Sequence, residues 1–148
     1  MKRALLQVRI LQTATALSIA LYAIIGEWKG QRVPHGFGVV YLTLVLASAC
    51  VVGIGHIVRR HMIDSADRIL STDPDNRPAL GRWIAAHIMS FAVADLVALF
   101  GMGLRFLGFT FFAVSLFYLG GLFLLWVFRP ARSTPALISP ASSPQSVP

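Results

Sequence analysis

The stretch AVADLVALFGMGLRFLG, residues 92–108, carries one carboxylate, Asp95, deep inside an apolar run. A carboxyl in such surroundings can exchange a proton or small cation, hydrogen-bond a neighbouring helix, or do both. Desolvation disfavours a charged carboxylate, so a protonated, hydrogen-bonding Asp95 is expected. The hydroxyls of Tyr118 and Ser115, in the next apolar run, are its candidate partners. A protonated Asp bridging two helices contributes about 1 kcal/mol to their association, enough by itself to account for such a residue.

His56 and His87 raise a second chemistry. On adjacent antiparallel helices at a common depth, two imidazoles could ligate a b-type haem axially. The simpler reading makes them interfacial residues reaching toward headgroups. His35 and His61 read as solvated loop residues. No Ser/His/Asp or Cys/His set shares one depth, so no enzyme is expected, and no cofactor or metal beyond that haem alternative.

The elements that position these residues follow from composition. Of 148 residues, 56% are hydrophobic and only 13% charged. That is about half the charged share of a soluble domain, so lipid must be much of the solvent. The net charge of +7 would suit nucleic acid, but the cations lie at the ends of apolar runs. Membrane orientation explains that placement, and no nucleic-acid partner is expected. The single cysteine, Cys50, permits no internal disulfide. The start, MKRALLQVRI, has the basic character of a signal peptide, but the segment reads as a retained helix.

Four spans are expected, at 5–26, 37–58, 82–104 and 107–128, each about 33 Å long as a helix. Residues 1–132 then form one transmembrane domain of all-α class. Residues 133–148, rich in Ser and Pro, form a disordered cytoplasmic tail. Ten of the 13 Lys and Arg residues fall on one side: Lys2, Arg3, Arg9, Arg59, Arg60, Arg68, Arg77, Arg82, Arg129 and Arg132. Lys29, Arg32 and Arg105 fall on the other. Both termini and the loop 59–82 are therefore expected in the cytoplasm of a bacterium, giving two antiparallel hairpins joined on that side of the inner membrane. Trp28, Trp83 and Trp126 fall near span ends. In the loop, SADRIL could form one interfacial turn before STDPDNRP breaks regular structure.

Counting from Trp83, Asp95 lies about 18 Å deep, close to the bilayer midplane. His87, Ser90, Ala94, Ala98, Gly101 and Arg105 recur at spacings of three and four, a small-or-polar stripe suited to close helix packing. Thr13, Ala16, Ala20 and Ala23 make a similar stripe on the first helix, and Ala49 and Gly53 a small pair on the second. With a turn at residues 105–107, Asp95 is expected level with Tyr118.

These residues carry a resemblance. Ala92, Ala94, Asp95, Ala98, Phe100 and Gly101 are similar to the carboxylate helix of rotary ATP synthase proteolipid (c) subunits, and Asn76, Arg77 and Pro78 resemble that family's polar loop. The match covers about residues 77–104. It implies that Asp95 is an ion-binding carboxylate. The first and last helices have no counterpart in a two-helix subunit; the whole chain looks like bacterial four-span proteins that contain one such helix. The expected role is a non-enzymatic subunit or scaffold of a membrane complex, built on other subunits or further copies of the chain. A proteolipid-like ion-translocating subunit is the alternative.

Overall fold

The computed structural model describes residues 2–30, 38–73 and 76–129, with side chains from residue 5 onward. Phe37, Arg32, His35, Arg132 and the expected tail 133–148 lie outside the described residues. The chain forms four helices in the order α1 (Lys2–Lys29), α2 (Gly38–Thr72), α3 (Arg77–Phe106) and α4 (Phe111–Val127). Helix is the form in which a lone apolar segment satisfies its own backbone in lipid. Three of the four are long and apolar enough to cross a membrane. The fourth, at 17 residues, is shorter but the most apolar of the four. The outward surface carries Leu17, Ile24, Val39, Ile57, Phe112, Leu116 and Phe123, all exposed. The protein is an all-α, multi-pass membrane protein.

Helix α3 is the hub. Its apolar window is 50% buried, against 11% for α1 and 6% for α2. Each of the other helices packs on it, and α1 also touches α4. The expected stripe is its inner face: His87, Ser90, Ala94, Ala98, Gly101 and Arg105 are all buried. Small residues there let α4 approach. A Cβ added at Gly101 would stand 2.8 Å from the Cβ of Phe117, and one at Gly121 would stand 2.9 Å from the carbonyl oxygen of Ala94. The backbones are as near as glycine allows.

The other two small-residue expectations hold only in part. On α1, Ala16 and Ala23 pack partly buried against the core, but the buried line is Val8, Ile19 and Gly26, while Thr13 and Ala20 are exposed. On α2 the close contact is Gly55, whose added Cβ would meet Val93 Cγ2 at 2.8 Å; Gly53 faces open space. Composition marks a small residue but not which side of the helix meets its neighbour.

Helix ends also differ from expectation. Helix α2 does not stop near residue 58; its 35 residues extend to Thr72, about 52 Å in all. The added turns hold because Ala66 and Leu70 bury a stripe four residues apart, with Arg60 paired to Asp64 at 3.9 Å. Helix α3 starts at Arg77 rather than 82. Asn76 caps it, its side chain accepting from the Ala79 N–H at 3.1 Å, with Pro78 in the first turn where a missing N–H costs nothing. The α2–α3 hairpin therefore projects past the apolar layer as paired helices.

Between α3 and α4, Gly108 takes the left-handed conformation, φ 91°. Its N–H donates to Arg105 O at 3.1 Å and that of Phe109 to Leu104 O at 3.2 Å. This pair of bonds closes a helix in the Schellman manner. Helix α4 then begins at Phe111, with Thr110 as its cap.

Candidate functional site

Helices α1 and α3 run parallel, and Asp95 sits in their seam. Tyr22, on α1, donates its hydroxyl to Asp95 Oδ2 at 3.2 Å. Asp95 Oδ1 is buried and has no hydrogen-bond partner among the described residues. A groove of about 300 Å³ opens beside it, lined by Leu11, Ala14, Thr15 and Ser18 of α1 and by Ile88, Phe91, Ala92 and Asp95 of α3. The walls are mostly apolar, and the free carboxyl oxygen is the unmet polar demand. An unsatisfied buried acceptor costs about 1–3 kcal/mol, and a turn of the Asp95 side chain that brought Oδ1 to the groove would let a donor there recover it.

The expected Tyr118–Asp95 bond is replaced by a different arrangement. Tyr118 is buried, and its hydroxyl donates to the backbone oxygen of Tyr22 at 3.4 Å. The longer turn is the reason. With Gly101 against Phe117 and Gly121 against Ala94 and Ala98, Tyr118 stands level with residue 101, more than one turn from Asp95. Ser115 donates to Phe112 O within its own helix at 2.7 Å. Tyr118 thus reaches Asp95 only through Tyr22, and Ser115 is not brought to it.

A second polar group lies toward the α3–α4 turn. The Arg105 side chain is 8% exposed and bonds Glu27 Oε1 through Nε at 2.8 Å. Its Nη1 donates to Phe109 O at 2.9 Å. Gly26 and Gly30 make room for it: an added Cβ at Gly26 would meet the Tyr118 hydroxyl at 2.9 Å and Arg105 Cγ at 3.4 Å, and one at Gly30 would meet Arg105 Cγ at 2.8 Å. A line of polar groups, Glu27, Arg105, Tyr118, Tyr22 and Asp95, therefore follows the seam of α1 with α3 and α4. Tyr22 and Glu27 were missed in the sequence. The one available signal was Glu27, the only glutamate in the chain, predicted on the same side as Arg105.

The two histidines have separate settings. His87 is buried, with Nδ1 2.9 Å from Trp83 O and its ring 4.2 Å from that of Trp83. His56 is exposed, stacked on Phe128 at 6.2 Å between centroids. Gly55 against Val93 sets the register of α2 on α3. His56 is then level with about residue 92, and His87 lies roughly 8 Å further along. The common depth expected of them is not present. No cluster of three or more metal-binding side chains occurs among the described residues.

No protein-family model, no curated protein and no solved structure matches the chain.

Proposed function

We propose that the protein is a small non-enzymatic subunit or scaffold of a membrane complex, and that the α1–α3 groove receives a transmembrane helix bearing a hydrogen-bond donor. The observation that carries this reading is the buried, unpartnered Oδ1 of Asp95 beside an open, mostly apolar groove. Ala14 and Ala92 leave room for close backbone approach, and a donor on the incoming helix completes the carboxyl. Each such bond contributes about 1 kcal/mol in a membrane, so apolar packing along the groove carries the rest of the affinity. The occupant is a helix of another subunit or of a second copy.

The bundle is oriented with Arg59, Arg60, Arg82 and Arg129 on the cytoplasmic side of a bacterial inner membrane, as the excess of Lys and Arg favours. A second reading is proton or ion exchange at Asp95, in the manner of the proteolipid helix that it resembles. It is favoured by the same free oxygen and by the polar line that leads toward Glu27.

The test is a photo-crosslinking amino acid placed at Ala92 in the native membrane. The expected result is a discrete adduct that is lost when Asp95→Leu is added and kept with Asp95→Asn. The same probe at Gly53, on an open face of α2, gives no such adduct. Adducts at Ala92 that ignore position 95, or equal adducts at both probe sites, would overturn the reading.

A further inference from the structure

At the other end of the bundle, Arg59 and Arg129 lie over aromatic rings. About 20 residues of helix cross the hydrocarbon, which brings Arg59, 21 residues after the start of α2 at Gly38, to the level of lipid phosphates. Phe128 and Arg129, at the end of α4, reach the same level. The guanidinium of Arg59 lies 4.9 Å above the Phe128 ring, and His56 stacks on that ring too. Arg129 lies 5.8 Å from the ring of Trp126.

Arg59 Nε is buried yet has no hydrogen-bond partner among the described residues. Two other arginines do have carboxylate partners: Arg60 pairs with Asp64 and Arg105 with Glu27. Because Nε faces the interior, it is the terminal Nη pair of this ring-held guanidinium that is left to meet two oxygens of one phosphate. Around the corner, Ile54, Ile57, Phe123 and Val127 are exposed apolar side chains. They continue from the phosphate level along the path that acyl chains would take.

The geometry points to a phospholipid site: Arg59, with His56 on the same ring and Arg129 adding charge at the same level, binds the phosphate of an anionic headgroup while the chains lie over the apolar flank. The ligand is an acidic phospholipid, and a soluble phosphate lacks the second half of the site.

The full chain in mild detergent tests this by thermal unfolding with added phosphatidylglycerol, phosphatidylcholine or inorganic phosphate. Phosphatidylglycerol is expected to raise Tm by several degrees in the wild type and in Arg60→Gln, by stabilising the native state that binds it. Arg59→Gln is expected to weaken this binding at least about tenfold. An equal shift with phosphatidylcholine, or an undiminished shift in Arg59→Gln, would overturn the site; an equal shift with inorganic phosphate would overturn the lipid. Native mass spectrometry of the wild type gives a reading that needs no variant. Phosphatidylglycerol should be retained well above phosphatidylcholine, and equal retention of the two refutes the assignment.

Discussion

The hydroxyl of Tyr22 and the carboxyl of Asp95 meet at 3.2 Å across the α1–α3 seam and leave one carboxyl oxygen facing unmet demand. Seam and groove are consequently one feature. Oδ2 is held by Tyr22 within the bundle, and the proposed partner helix would engage Oδ1.

Tyr22→Phe removes that bond without changing the shape of the ring. It should cost about 1 kcal/mol, the scale of a single interhelical hydrogen bond in a membrane. Tyr118→Phe should cost less, because its bond to Tyr22 O is long, at 3.4 Å. Unfolding titrations with a denaturing detergent would compare the two, and a larger loss for Tyr118→Phe would contradict the geometry.

A hydrophobic carbodiimide reacts with carboxyls in apolar surroundings, so it reads access to Asp95 through the groove. Labelling of the wild type is expected and should vanish in Asp95→Asn. Ala92→Phe fills an exposed part of the lining and should slow it severalfold. Mass analysis of the labelled peptide checks all three; unchanged labelling in Ala92→Phe would mean that reagent arrives by another path.

Glycine contacts separate packed faces from open ones. Gly121→Val directs new carbons at the Ala94 carbonyl and should destabilise the bundle by about 1–3 kcal/mol, the usual cost of overpacking. Gly53→Val meets nothing within 4 Å and should be close to neutral. Thermal melts in detergent would rank them.

Arg105 and Glu27 should behave as a pair. Glu27→Leu leaves a nearly buried cation without its carboxylate and should be clearly destabilising. Glu27 is 46% exposed, so water offsets part of that cost. Adding Arg105→Met should restore stability, because an apolar pair can replace a buried ion pair at little loss. A double-mutant cycle by unfolding measures the coupling, and strict additivity would show the two residues to be independent.

Sidedness is open to direct measurement. In a Cys50→Ser background, single cysteines replacing Arg68 and Trp28 should be labelled by an impermeant maleimide from opposite faces, position 68 from the cytoplasm. Labelling of both from one face would reject the orientation.

The sequence by itself determined the number and rough position of the helices, the lipid-facing character of the outside, and the inner face of α3. Those follow from local quantities: hydropathy over about 20 residues, and small residues recurring every three or four. The burial of the full stripe from His87 to Arg105 demonstrates how far that goes. The tertiary structure decided which helices share a seam and in what register. The Gly108 turn moved α4 by more than a turn, so Tyr118 met Gly101, and Tyr22 of the parallel α1 took Asp95. The extension of α2 to Thr72 and the pairing of Arg105 with Glu27 were decided in the same way. Periodicity fixes a residue's face on its own helix, whereas register depends on turn geometry and on how two surfaces of small residues interlock, which no single helix encodes.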